Sequence, residues 1–217
     1  MYKIINSHSH NPSPNAIFNC NMLGEFNSAL PSADTFCSIG VHPWDVEQIS
    51  IEKIRLMFEQ FKSACNVVAV GECGLDRVRK GDLKKQREVF IAQLELASEN
   101  NLPVVIHCVR AWSDIVPIMQ KFKNLTFILH DFRANTIQTT KLLEFNTYFS
   151  FGKSIFKPSD KIKKVLGIIP KNRILIETDE EKVNIESVLE SICLVLQTDK
   201  KLFRQQLIEN TKKAFNL

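Results

Sequence analysis

The chain has 217 residues, 44% of them hydrophobic and 24% charged, with a formal net charge of +4, figures of one ordinary globular domain rather than of a strongly nucleic-acid-coating one. No run approaches the roughly 20 apolar residues that cross a bilayer, and residues 1–6 pass straight into polar sequence without a signal-peptide core. A cytoplasmic protein is expected, with no membrane contact and no obligate protein partner, its mild positive charge permitting a phosphate-bearing substrate without demanding one.

In chain order, a short β-branched or aromatic run recurs, ends on a polar or small residue, and gives way to a helical stretch. Strands are expected at residues 3–7 and 16–20, with no convincing long helix in the segments 11–15 and 21–34 around the second. A strand at 35–39 precedes a helix over 51–64, where Ile54, Phe58 and Phe61 share a face. A strand at 67–70 precedes a helix over 83–100, which aligns Phe90, Leu94 and Ala97 and stops before Pro103. Strands at 104–106, 126–129, 148–150 and 173–176 alternate with helices at 113–122, 136–145 and 160–166, the last stopping at Gly167. Residues 187–215 hold one broken helix or two. Eight strands with intervening helices predict a single domain over 1–217, an α/β TIM-type (β/α)8 barrel. At ~250 residues the usual barrel is longer, so one or two outer helices should be missing early in the chain.

Six cysteines stand singly with no C-x-x-C pair, which argues against a disulfide framework and a thiolate zinc site. Chemistry concentrates elsewhere. All five histidines, His8, His10, His42, His107 and His130, fall just past a predicted strand, and in a parallel barrel those ends open on the face that carries active sites. His8-Ser9-His10 has period-two spacing, so both imidazoles project to one side and can chelate a divalent metal. Glu72, between Gly71 and Gly74, has two oxygens that can bridge two cations roughly 3.5–4 Å apart. Val105-Ile106-His107 and Ile128-Leu129-His130 repeat one pattern and can supply a second centre. Of the two acids in Glu177-Thr178-Asp179, Asp179 is taken as a ligand and water-orienting base, Glu177 as a structural contact. Arg77, Arg79 and Lys80 follow Glu72 on a loop that can clamp phosphate, and Trp44 or Trp112 can stack on a base or simply pack the loops.

Taken together, these segments resemble the TatD family of metal-dependent hydrolases, among the amidohydrolase-like barrels. Asn6-Ser7-His8-Ser9-His10 resembles its Asp-x-His-x-His opening, and Gly40-Val41-His42-Pro43 its Gly-x-His-Pro element. Gly71-Glu72-Cys73-Gly74-Leu75-Asp76 resembles the most specific signature, Gly-Glu-Ile-Gly-Leu-Asp. The helix containing Gln86, Arg87, Phe90 and Gln93, the strands ending in His107 and His130, the Glu177-Thr178-Asp179 terminus and the closing helix follow in order. The resemblance implies a two-metal hydrolase: His8, His10 and Asp179 on one ion, His107 and His130 on the other, Glu72 between them. It also implies that His42 meets the substrate and favours Arg79 among the basic residues. The implied activity is that of a phosphoesterase or deoxyribonuclease using two divalent ions (Mg, Mn or Zn) on DNA or another phosphate ester.

Three departures stand out. Asn6 replaces the usual aspartate and should alter support of the H-x-H pair, Asp131 and Ala134 interrupt the usual small residues, and Glu180-Glu181 replaces a proline. Two other readings share the same residues: a metal-dependent amide or lactone hydrolase, and a degenerate barrel that binds without turnover.

Overall fold

A computed structural model describes residues 5–23, 35–79 and 81–217. Within them, β1 (Asn6–Ser9), β2 (Ala16–Asn21), β3 (Phe36–Gly40), β4 (Asn66–Asp76), β5 (Val104–Val109), β6 (Phe127–Leu129), β7 (Thr147–Phe151) and β8 (Ile174–Ile176) pair in chain order, every pair parallel. Asn6 pairs with Ile176, so β8 returns to β1 and the barrel closes. Closure leaves no sheet edge, which suits strands that are apolar on both faces.

The outer layer is α1 (Ile51–Ala64), α2 (Leu83–Glu99), α3 (Trp112–Met119), α4 (Thr136–Leu142), α5 (Asp160–Ile168), α6 (Ile185–Leu196) and α7 (Lys200–Phe215). Local chemistry sets their starts: Ser50, Asp82, Ser159, Asn184 and Asp199 each accept a backbone N–H of the first turn, and Asn135 forms a reciprocal capping box with Gln138. The periodic faces are buried as expected, Ile54, Phe58 and Phe61 on α1 and Phe90, Leu94 and Ala97 on α2. The C-terminal stretch is two helices, because Gln197 takes a left-handed conformation after α6 and Asp199 then caps α7.

The connection from β1 to β2 contains no helix, as expected from its length. Most of the next connection, including the expected helix-free segment up to residue 34, lies outside the described residues, as do residues 3 and 4 of the first expected strand. Elsewhere the boundaries differ in informative ways. β4 does not stop at Val70 but continues to Asp76, so Glu72 sits within a strand rather than after one. α5 passes through Gly167 and ends at Ile168; its C-cap Ile169 has the extended backbone that Pro170 demands of its predecessor. A Cβ at Gly167 would meet nothing within 4 Å. Gly167→Ala should therefore stabilise the protein by about 0.5–1 kcal/mol, read as a higher denaturant midpoint with an unchanged slope.

Two apolar layers hold the barrel. One lies between the sheet and its helices, around Phe58, Phe90, Phe127, Phe149 and Phe151. The smaller one joins Ile17, Phe36, Ala69, Val105, Ile128, Tyr148 and Leu175 from successive strands with Ala214 and Phe215 of α7. Asn210 of α7 donates to the carbonyls of Lys171 (2.8 Å) and Ile174 (2.7 Å), at the N-terminal end of β8. The helix thus closes the bottom of the barrel and leaves the opposite mouth open for polar residues.

Candidate metal centre

The histidine pair comes from β1 and the turn after it. His8 is fully buried, and its carbonyl accepts the N–H groups of Thr178 (3.3 Å) and Asp179 (3.1 Å), while the His10 N–H donates to the Asp179 carbonyl (3.0 Å). This zipper carries Asp179 to the H-x-H pair although β8 ends three residues earlier. Asn6 serves that segment: its Oδ1 accepts the Thr178 N–H (3.1 Å) and its Nδ2 donates to Thr178 Oγ1 (2.9 Å). The Asn6 departure therefore acts on the strand-end segment bearing Asp179, not on the imidazoles as expected.

Glu72 is delivered by β4, which must lie very close to β5. A Cβ on Gly71 would come within 2.5 Å of the Val105 carbonyl oxygen, and one on Gly74 within 2.0 Å of that of His107. Both glycines also have positive φ, +140° and +148°, so no other residue fits without strain. The buried carboxylate divides its oxygens. Oε2 faces His8 Nε2 (3.4 Å) and His10 Nε2 (3.8 Å), and Oε1 faces His107 Nδ1 (2.7 Å), His130 Nε2 (2.8 Å) and His42 Nε2 (3.3 Å). Asp179 Oδ1 completes the first set at 3.5 Å from His8 and 3.3 Å from His10.

The structure thus gathers all five histidines, Glu72 and Asp179 at one mouth, with two refinements. His42 stands among the ligand atoms, 3.4 Å from His107 Nδ1, nearer the centre than a residue that meets only substrate. His130 lies between the sets, its ring 4.6 Å from that of His8. Three overlapping groups, His8/His10/Glu72, His8/His130/Asp179 and His42/Glu72/His107, each bring their donor atoms within 4.8 Å of one another. Separations of 3.3–3.5 Å match those between donors placed about 2.0–2.1 Å from a tetrahedral cation. The buried His8 Nε2 has no hydrogen-bond partner, an unmet requirement that a cation would satisfy. The donor set fits a divalent metal.

Glu177 makes the structural contact expected of it, and several further supporting residues have roles that the sequence did not assign. Asp76 Oδ2 lies 3.4 Å from His107 Nε2, and Glu177 Oε1 lies 3.4 Å from His130 Nδ1 while accepting the Asp131 N–H (2.6 Å). A carboxylate thus stands behind each imidazole, hydrogen-bonded to His107 and within ion-pair distance of His130, the kind of neighbour that orients a ligand ring. Gln86 and Gln93, two turns apart on α2, hold the strand ends: Gln86 Oε1 accepts the Asp76 N–H (2.9 Å), and Gln93 Oε1 accepts the Val41 N–H (2.7 Å) next to His42. Asn19 on β2 touches both Glu72 and His10. Its signal was a polar residue within the apolar run from Ala16 to Cys20.

Charge in the centre is strongly coupled. Burial alone would lower the His10 pKa, but Asp179 and Glu72 outweigh it and raise it to about 9; His8 and His130 are also raised against burial, and Asp179 is held far below the usual carboxylate range by His10 and His8. A raised imidazole pKa contributes stability that is complete below about 6.5 and is lost as pH climbs through about 9. Metal requires the neutral ring, so its affinity should rise over the same window. Chelator-treated protein should accordingly lose melting temperature from pH 6.5 to 9, while manganese-loaded protein gains on that reference; parallel melts check it, and identical pH profiles would refute it.

The basic residues around the mouth are placed differently from expectation. Arg77 is committed to the buried Asp114, donating from Nε (2.6 Å) and Nη2 (2.9 Å), with Arg87 on the same carboxylate, so it is no phosphate clamp. Arg79 lies over the Trp44 ring, 4.0 Å from its centroid, a cation–π contact; Trp44 Nε1 in turn donates to Asp76 (2.8 Å). Arg79 is absent from the described residues that line the cavity, and its guanidinium occupies one face of Trp44. Lys80 lies outside the described residues. Among the described residues, the cations that line the cavity are Arg110, Arg133 and Lys161. The Asp131 departure has a local role here, pairing with Arg133 at 2.8 Å. Trp112 also lines the cavity and packs edge-on against Phe132. Burial pushes the Cys108 thiol up to about 12, so it offers no thiolate to the site.

The sequence pattern of the family described as "TatD related DNase" matches residues 18–216. The uncharacterized metal-dependent hydrolase YabD of Bacillus subtilis is 36% identical over 148 residues, 66% of this chain and 58% of that protein, so the match spans little more than half of that relative. The 3'-5' ssDNA/RNA exonuclease TatD of Erwinia tasmaniensis is 26% identical over 200 residues, covering 82% and 77% of the two chains. The crystal structure of YJJV, a TatD homologue from Escherichia coli, superposes with a TM-score of 0.80 at 21% identity over 99% of this chain and 98% of that one, which places the fold. With the pattern matched across nearly its whole length, this chain belongs to the TatD-related DNase family.

Proposed function

We propose that the protein is a divalent-metal-dependent phosphodiesterase acting on single-stranded nucleic acid, with two ions at the mouth of the barrel. The observation that carries this reading is the division of Glu72, one oxygen toward His8 and His10 and the other toward His107, His130 and His42. A carboxylate buried among five imidazoles is the arrangement that two adjacent cations require of a bridging ligand. When bound, divalent ions lower the pKa of water and neutralise developing charge on a phosphoryl oxygen. Asp179, an anion throughout the working pH range, orients the attacking water through its free lone pairs; its depressed pKa suits it better to that than to storing the proton. Asp76 and Glu177 keep His107 and His130 turned toward the centre.

Arg133, anchored by Asp131, and Arg110 take the phosphate flanking the scissile one. Arg133→Ala should raise KM for an oligonucleotide about 10-fold, roughly 1.4 kcal/mol of charge-assisted contact, and leave a minimal chromogenic phosphodiester unaffected; equal losses on both substrates would remove the residue from that role. The names of the relatives support nuclease chemistry. A cytoplasmic setting belongs to the same proposal, supported by six free cysteines, the form a reducing compartment maintains.

The test is to strip the protein of metal and add magnesium, manganese or zinc in turn, with single-stranded DNA and a simple phosphodiester as substrates. His107→Ala protein runs alongside to expose a contaminating nuclease. Cleavage that needs metal and disappears in the variant supports the proposal. Stoichiometric metal binding without turnover on either substrate would overturn it.

A further inference from the structure

Asn19 lies within β2, only 8% exposed, two strands away from Glu72 across the inside of the barrel. Its Oδ1 accepts the Glu72 backbone N–H at 3.0 Å and is also approached by Ser38 Oγ at 3.5 Å. The Glu72 N–H can only donate, so the amide has one admissible orientation, and Nδ2 must point at Glu72 Oε2, 3.2 Å away, and toward His10 Nε2, 3.3 Å away. The donor therefore addresses only the carboxylate oxygen that faces His8 and His10. The oxygen shared by His107, His130 and His42 receives no such bond from it.

A carboxylate can rotate about its last bond, and at this position rotation would scramble the two sets of contacts. We propose that Asn19 is a positioning residue of the metal centre, holding Glu72 with one oxygen turned to each histidine set and weakening the cation site formed by His8 and His10. The weakening follows from sharing: a lone pair of Oε2 engaged by an amide N–H gives less charge to a cation. The amide nitrogen also stands 3.2–3.3 Å from two of that site's ligand atoms, the spacing of a neighbouring ligand, yet it presents a proton rather than a lone pair. This inference rests on the metal centre described above and not on the identity of the substrate.

The two effects separate by substitution. Asn19→Ala frees the carboxylate and should lower manganese affinity about 10- to 100-fold, the usual consequence of losing a partner that orients a ligand. Asn19→Asp keeps the size and the acceptor for the Glu72 N–H but places an oxygen where the donor was, and should raise manganese affinity at least 10-fold. Affinities are read by competition with a chelating dye on the metal-stripped 217-residue chain, and thermal melts confirm folding. Shifts of opposite sign support the proposal, because a purely structural asparagine would move both variants down or neither. An Asp variant no tighter than wild type, or a folded Ala variant within twofold of it, overturns the proposal. If the Ala variant fails to fold, the Asp variant decides alone. Wild-type protein that binds no manganese would instead refute the centre itself.

Discussion

If two ions share Glu72 as proposed, Glu72→Gln should reduce turnover to the background of the assay, a loss of at least about 10³-fold, and cut manganese binding from two ions to one or none. The substitution keeps the volume of the side chain and both of its hydrogen-bonding positions, so packing is not the variable. What changes is charge: five imidazoles then surround a neutral amide whose nitrogen presents hydrogens to one of the two sets. Since Glu72 pushes His130 upward together with Glu177, and is one of the groups that raise His10 and His8, the neutral variant leaves the buried imidazoles less able to hold their protons and without a shared anion. Metal-free Glu72→Gln protein should therefore be less stable than metal-free wild type at pH 6, where the raised imidazole pKa values contribute most. Equilibrium dialysis with elemental analysis, turnover on single-stranded DNA and melts at pH 6 and 9 form one set of measurements. A variant that still binds two ions and cleaves within 10-fold of wild type would show that Glu72 is not the bridge.

The sequence made the candidate ligand residues legible because each is local in its own way. His8 and His10 share one side through period-two spacing, and His107 and His130 each close an apolar run. In a parallel barrel such strand ends meet automatically, so chain order was enough to assemble them. What stayed hidden depends on neighbours across the barrel. Nothing in the spacing of Asn19 says that it faces Glu72 two strands away, and nothing in Gln86 or Gln93 says that a helix reaches back to pin two strand ends. Arg79 shows the converse case. Its place in the loop after Glu72 suggests a phosphate, and in the structure its guanidinium lies over the exposed Trp44 ring, while Arg133, set between residues read only as departures, lines the cavity. The misjudged boundaries have the same character. Gly167 looked like a stop, yet the preference of Pro170 for an extended predecessor decides where α5 ends. Gly71 and Gly74 looked like the end of a strand, yet they are what lets β4 continue against β5.

That last point sets the largest effect expected outside the ligands themselves. Gly74→Ala should destabilise the protein by about 3 kcal/mol or more, because φ of +148° lies where side chains are rarely found and the added carbon would sit 2.0 Å from the His107 carbonyl oxygen. For a chain of this size that corresponds to roughly 6–12 °C in melting temperature. The displaced atom is backbone and cannot rotate away, so β5 has to move, and Gly74 pairs directly with His107 in the β4–β5 register. The shift is thereby transmitted to the His107 Nδ1–Glu72 Oε1 contact, now 2.7 Å, and metal affinity should fall together with stability. Gly167→Ala is the matched control, the same chemical change at a site with open space. If the two variants melt alike, the close approach of β4 to β5 does not constrain the barrel. If Gly74→Ala is less stable but binds manganese as tightly as wild type, strain at this position is absorbed before it reaches the centre, and the glycines serve the fold alone.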